Sequence, residues 1–333
     1  MFEFIVSQPV KLKKHVRKLT FGVNGYKLGQ ILRDKDEIFM QKLDWHEPKF
    51  ISQRNFSLAS DTSAVNLYIL RKKYNIEVAE RDEILFRRYN GSNLNRNGYG
   101  FPLSDKNFDL NAAIELLKRD SASRGENFRF CLCNDAQRAE IDRFCRVDWH
   151  FFDGDSDYIY KTDDFARFSG KKFHAKKNHC NKFMKTYAEV KYLPLTTDLL
   201  PDALKISEKW LDEHDFNDVF LQNELVGIRE AAENWQNLEM QGGILYADGD
   251  PAAMIMFSTL SEQCIDVHFE KSTKKFALNG SFAAINKFLA SSTALKPYKY
   301  INREEDMGII GLQQSKTSYK PDFKLKKYFG EVF

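Results

Sequence analysis

The run from Gly242 to Ser292 restricts the fold more than any other part of the chain. Three apolar segments, "GGILYAD", "PAAMIMFSTL" and "CIDVHFEKS", follow one another, with Asp248-Gly249 and Ser261-Glu262 marking the breaks. Short polar joints of this kind connect antiparallel neighbours, so the segments predict a meander of β-strands. The next stretch, "LNGSFAAINKFLASS", predicts a helix, with Asn279 or Ser281 as candidate N-cap. A sheet and a helix that must each bury one face belong to a layered α/β structure.

The pattern extends in both directions. Before the meander come a strand at "VKYLPL" and helices over 199–214 and 221–236; after it come a strand at "YKYINRE", a short helix near 310–318 and a closing strand at "FKLKKYF". The N-terminal half repeats the alternation more loosely: helix "TSAVNLYILRKKY", strands near 76–88 and 99–103, helix 109–119, strand "FRFCLC" and helix 135–145. The acidic, glycine-bearing stretch "HFFDGDSDYIYKTDD" (150–164) suits a boundary. An α/β (α+β) protein of two tandem domains with mixed central sheets is expected, over 1–155 and 156–333, the first a degenerate copy of the second. A chain of 333 residues with 43% hydrophobic content can fill two such cores.

Charge and cysteine content exclude several classes. Fifty Lys+Arg against 47 Asp+Glu leave a net charge of +3, so a polyanion site has to arise from local clustering. The five cysteines form no CxxC pair and are odd in number, which fits reduced thiols in a cytoplasm better than a disulfide framework or a zinc site. No window approaches 18 uninterrupted apolar residues, and "MFEFIVSQPVKLKKHVRKL" at the N-terminus lacks the apolar core and cleavage site of an export signal. A cytoplasmic protein, at most peripheral to a membrane, is expected.

Chemistry can sit in four places. On the strand "CIDVHFEKS", Asp266, His268 and Glu270 alternate with Val267 and Phe269 and so share one face. Such a face can line a cleft and relay protons or hold an ammonium group, or it can be a half-exposed strand with its charges in solvent. These residues are also competent metal ligands, but strand neighbours rarely converge on one ion without further histidines, so no metal is expected. Asn279, Gly280 and Ser281 open a helix whose free N–H groups can receive a phosphate or carboxylate.

The segment "SGKKFHAKKNHCNKFMKTYAEVKY" reads as a basic amphipathic helix. Phe173, Cys180, Phe183, Met184 and Tyr187 share a side, while Lys171, Lys172, Lys176, Lys182 and Lys185 spread over the rest; Lys171, Lys172, Lys176, Lys177 and Lys182 form a candidate polyanion-binding surface. An ordinary surface helix has the same pattern. Finally, Arg303 and Asp306 emerge at a strand's carboxyl end, where open α/β sheets keep ligands, ahead of Lys316 and Tyr319 on a short helix. A lysine so placed can neutralise charge developing on an oxygen.

Four stretches, "DTSAVNLYILRKKYNI", "GKKFHAKKNHCNKF", "VHFEKS" and "YINREEDMGIIGLQQSKTSYKP", together resemble the bacterial family related to the C-terminal domain of phosphatidylglycerol lysyltransferase, over nearly the whole chain. The resemblance implies a duplicated GNAT acyltransferase-like fold, similar to that of the Fem peptidyltransferases. It implies transfer of an aminoacyl group from aminoacyl-tRNA to an amine or hydroxyl on an anionic lipid or a peptide, with no further cofactor. Lys316, followed five residues later by Pro321, takes the catalytic role, and Asp266 resembles the strand acid that precedes that motif. His268 and Glu270 stand where the lipid enzymes tend to carry arginine. Two other functions fit the fold: a coenzyme A dependent N-acyltransferase with pyrophosphate at the helix after Gly280, and a non-catalytic module that binds RNA or anionic lipid.

Overall fold

The computed structural model describes residues 42–49, 51, 56–214 and 218–333, so the N-terminal segment read above for export signals lies outside the described residues. Leu43–Phe333 form one unit built on two mixed sheets. Helix α1 (Ala64–Ile69) is followed by β1 (Glu77–Arg81), β2 (Ile84–Asn90), β3 (Asn97–Tyr99), α2 (Leu110–Ser123), β4 (Arg129–Cys133), α3 (Asp135–Ile141) and β5 (Val147–Phe151). Then come β6 (Asp157–Lys161), α4 (Thr162–Arg167), α5 (His174–Thr186), β7 (Val190–Pro194), α6 (Leu200–Asp212) and α7 (Val219–Glu233). The predicted meander is β8 (Gln241–Ala247), β9 (Asp250–Ser261) and β10 (Cys264–Ser272), antiparallel throughout. The chain closes with α8 (Lys274–Ala277), α9 (Ser281–Ser291), β11 (Tyr300–Asn302), α10 (Ile310–Ser318), β12 (Phe323–Leu325) and β13 (Tyr328–Val332).

The first sheet has the order β1-β2-β3-β4-β13-β5 and the second β12-β6-β11-β10-β9-β8-β7. What reads in the sequence as one closing strand is therefore two. Lys326 and Lys327 carry the chain from the second sheet back to the first, where β13 inserts between β4 and β5. The last strand thus belongs to the sheet built by the N-terminal half, so a division of the chain at 155/156 would separate it from its partners.

In the second sheet, α4, α5 and α9 cover one face, with Phe165, Phe183 and Ile285 in the core, and α6 and α7 cover the other, with Ile206 and Ile228. Helix α1 touches two cores: Val65 packs into the second of these, and Leu67 into one beside the first sheet. The hinge of the functional region is the parallel pair β10 and β11, which stay in register for three residues, ending at Asp266 opposite Asn302. Beyond that point β10 continues and the other chain turns away at Arg303.

Candidate active site

A β-bulge decides where the polar side chains of β10 go. Pairing with β9 runs from Asp266 opposite Ser258 and Val267 opposite Phe257 directly to Phe269 opposite Met256, so His268 is the extra residue. An inserted residue reverses the alternation beyond it. Val267 accordingly packs with α9, whereas Phe269 packs on the opposite face with α6 and α7. Asp266 and His268 share one face as expected, but Glu270 does not join them: it faces α9, where its carboxylate accepts from Asn286 Nδ2 at 2.6 Å and Arg303 Nη2 at 2.5 Å.

On the first face, Asp266 and His268 meet Asn66 of α1 and Glu304. Asn66 Nδ2 donates to Asp266 Oδ2 at 3.0 Å, to Glu304 Oε1 at 2.9 Å and to the Ser60 carbonyl at 3.1 Å. His268 Nδ1 lies 3.0 Å from Asn66 Oδ1 and 3.2 Å from Glu304 Oε1, both acceptors, so Nδ1 carries the ring proton; Nε2 faces the Ser258 hydroxyl at 2.8 Å. Asp266 is fully buried, and its Oδ1 has no hydrogen-bond partner among the described residues. Burial, reinforced by the Glu304 and Asp157 carboxylates, pushes its carboxyl well above the ordinary range.

Asp266, His268 and Glu304 offer ligand atoms within 4.8 Å of one another. Asn66 Nδ2 donates to both carboxylates of this group and to the Ser60 carbonyl.

The raised Asp266 carboxyl has a thermodynamic sign. A group whose native value exceeds its unfolded one takes up a proton on folding, so its contribution favours the native state at low pH and is lost as pH rises through the native value. Asp266→Asn removes the cost of burying the charge, and the thermal midpoint at pH 7 is expected to rise by roughly 2–4 °C, about 1 kcal/mol, with the gap closing near pH 4. Thermal unfolding of both proteins at the two pH values checks this; a lower midpoint for the variant at pH 7 contradicts it.

Lys316 reaches the same region from α10. Its ammonium donates to the carbonyls of Arg303 and Glu305, bracketing Glu304, whose backbone adopts the left-handed conformation (φ 55°). Burial depresses the ammonium despite the charges of Glu304 and Glu305 nearby. Burial also disfavours the Glu305 carboxylate, but Arg96, Lys327 and Lys316 outweigh it and hold the carboxyl at about 2. A cavity of about 20 Å³ borders Asn66, Glu304 and Glu305, and a cleft of about 300 Å³ opens beside it; Tyr74 and Arg96 line both.

The remaining candidates are distributed differently from the sequence expectation. Asp306 is fully buried and anchors its own turn, accepting from Tyr158 Oη at 2.6 Å and the Gly308 N–H at 2.8 Å, so it is not offered to a substrate. Asn279, Gly280 and Ser281 are consumed in packing. Asn279 donates to Tyr187 Oη, Ser281 Oγ lies 2.6 Å from Ser272 Oγ, and Gly280 rather than its neighbours is the N-cap, with φ 100°. The His179 carbonyl of α5 presses on Gly280 so closely that a Cβ there would lie 2.2 Å from it, which covers the first turn of α9.

The lysines of α5 and of the turn before it also separate. Lys171 and Lys177 are exposed, Lys172 pairs with Asp164 at 3.0 Å, and Lys182 donates to the Leu278 carbonyl at 2.8 Å. Lys176 turns inward over the ring of Tyr319, 3.7 Å from its centroid. Met184, read as part of the apolar stripe, is 43% exposed, and Cys264 is a fully buried core thiol.

Sequence reasoning did not single out Asn66 and Glu304, nor Ser258. Asn66 lies 200 residues from Asp266, and its only signal is that it falls within one of the stretches carrying the family resemblance. Glu304 sits in a run of acids whose individual directions no spacing rule fixes.

Two mixed sheets, with a parallel strand pair that separates at a polar site and a half-buried lysine beside it, make up the fold that positions this cluster. The chain belongs to the family described as phosphatidylglycerol lysyltransferase, C-terminal, whose model matches residues 55–330. It is 28% identical to a conserved protein of unknown function from Bacteroides thetaiotaomicron VPI-5482, with a TM-score of 0.79 over 87% of this chain and 100% of that one. L-PGS from Bacillus licheniformis shares the fold at 16% identity, with a TM-score of 0.53 over 90% of this chain and 91% of that one. The uncharacterized protein MYCGA3080 of Mycoplasmoides gallisepticum is 24% identical over 180 residues, 53% of this chain and 56% of that protein, so the match spans little more than half its length. No helix among the described residues is long and apolar enough to cross a membrane.

Proposed function

We propose that this protein transfers an aminoacyl group from aminoacyl-tRNA to an amine or hydroxyl acceptor on an anionic lipid or a peptide. The observation that carries the reading is the Lys316 ammonium, buried and held by two backbone carbonyls beside the Asp266–His268–Glu304 cluster. In the reaction, the acceptor nitrogen or oxygen bonds to the ester carbonyl carbon. Its proton passes to the carboxylate–imidazole cluster, and Lys316 directs its third N–H at the oxygen that becomes negative. The ester C–O bond then breaks, and the ribose oxygen leaves with a proton returned from the cluster. The ester is already activated, so positioning and charge stabilisation suffice.

A coenzyme A thioester is the less favoured donor, because α5 covers the first turn of α9 where a pyrophosphate would be received. The test is incubation with radiolabelled aminoacyl-tRNAs and either anionic-lipid vesicles or a peptide extract. Label is expected in lipid or peptide; failure of every aminoacyl-tRNA to yield product, with thermal stabilisation by coenzyme A, would overturn the assignment.

A further inference from the structure

The face of β10 opposite the acidic cluster carries a second, oppositely charged group of side chains. Arg303 Nη2 bonds Glu270, but Nη1 of the same guanidinium is buried with no hydrogen-bond partner among the described residues, although the Arg303 side chain is only 10% exposed. The Tyr319 ring centroid lies 4.7 Å from Arg303 Cζ and 3.7 Å from Lys176 Nζ. No carboxylate lies within salt-bridge distance of Lys176 among the described residues. The two oxygens of Glu270 accept from Asn286 and Arg303, so its single charge is shared between Arg303 and the more distant Lys176.

Two cations gathered on one buried ring, with one carboxylate for the pair, leave a net positive charge where water is scarce. Such an arrangement is costly unless an anion completes it. Burial, and then the charge of Arg303, pull the Lys176 ammonium down to about 8, as expected of a cation awaiting a counter-charge. The exposed lysines Lys171, just before α5, and Lys177, on it, extend the positive potential outward from this point.

We propose that Lys176 and Arg303, with Tyr319 between them, form a subsite for a phosphodiester oxygen in the single-stranded acceptor end of the donor RNA. This rests on aminoacyl-tRNA as donor. The two faces of β10 then divide the work: the anionic carrier docks on the α5 side, and the ester reaches past the end of the β10–β11 pairing toward Lys316 and the acidic cluster. A half-buried subsite suits a narrow single strand, whose backbone can enter where a duplex cannot.

The test uses the full chain and an RNA microhelix ending in a single-stranded CCA, with binding measured between 50 and 300 mM salt. Lys176→Gln is expected to weaken binding about tenfold and to lower the slope of log affinity against log salt by about 0.7, one single-strand phosphate contact. Lys185→Gln, at the exposed end of the same helix, is expected to weaken it less than threefold. Equal losses in the two variants, or no loss in Lys176→Gln at an unchanged thermal midpoint, overturn the subsite. Binding of anionic-lipid vesicles, but not the microhelix, in a Lys176-dependent way overturns the RNA assignment. The transfer assay separates the two levels: product formation with an unchanged KM for aminoacyl-tRNA in Lys176→Gln sinks the subsite alone, and no product from the unsubstituted protein sinks the donor reading beneath it.

Discussion

Lys316→Ala is expected to reduce kcat for aminoacyl transfer by about 10²–10³-fold, the usual effect of removing a donor to a developing oxyanion. KM for aminoacyl-tRNA is expected to stay within about threefold, because the interaction is made in the transition state and not in the ground state. The ammonium also holds the Arg303 and Glu305 carbonyls, so part of the loss could come from a loosened loop around Glu304. Lys316→Met, which keeps the aliphatic stem, separates loss of the ammonium from loss of side-chain packing. Its thermal midpoint is expected to match that of the unsubstituted protein within a few degrees, since the buried ammonium is itself poorly solvated. Steady-state kinetics on both variants checks this; transfer at an undiminished rate in either removes Lys316 from the reaction.

Lys327→Ala is expected to cost about 3–5 kcal/mol of stability, as when one partner is removed from a buried ionic network. The Lys327 ammonium is almost completely buried and lies 2.7 Å from Asp157 Oδ1, 2.9 Å from Ser60 Oγ and 3.4 Å from Asp61 Oδ1. Burial opposes its charge, but Asp157, Asp61 and Glu305 outweigh that and raise its protonation strongly. Arg87 holds the other oxygen of Asp61 at 2.8 Å, and Asn302 donates to Asp157 at 3.0 Å, so the network ties β11, β6, β2 and the segment before α1 to the crossover between the two sheets. Without Lys327, the buried Asp157 carboxylate loses its counter-charge and Asp61 keeps only that of Arg87.

The pH dependence follows from Asp61. Burial would raise its carboxyl, but Lys327 and Arg87 prevail and the net shift is down. A depressed carboxyl stabilises the native state above its unfolded value, and that contribution is lost as pH falls through the native one. The difference between the protein and Lys327→Ala is therefore expected to shrink in acid, where the carboxylates need no partner. Urea denaturation at pH 7 and at a pH below 3.8, the ordinary aspartate value, measures it, and Lys327→Met combined with Asp157→Asn should recover much of the loss. A difference below 1 kcal/mol at pH 7 would mean that the network contributes little.

Much of the second sheet was legible. The meander, its helix and the 310–318 helix appear at or near their expected places, because hydrophobic period and turn residues are local properties of the chain. The active-site geometry was legible only up to Val267. Alternation predicted Glu270 beside His268, and it holds until the bulge, an irregularity set by how β10 pairs with β9 and invisible in one strand's own pattern. The first turn of α9 shows a similar limit: its sequence advertises free N–H groups, but the His179 carbonyl of α5, some hundred residues earlier, lies against Gly280 at its start.

The amino-acid sequence by itself determined the α/β class, the elements of the second sheet, the family and the presence of a lysine at the end of that sheet. The tertiary structure alone decided that β13 returns to the first sheet, that Asn66 and Glu304 complete the acidic cluster, and that Lys176 leaves the charged surface of its helix for the ring of Tyr319. The physical reason is one of range. Propensity and periodicity act over a few residues, whereas a buried charge is stable only through partners that the fold brings from far along the chain.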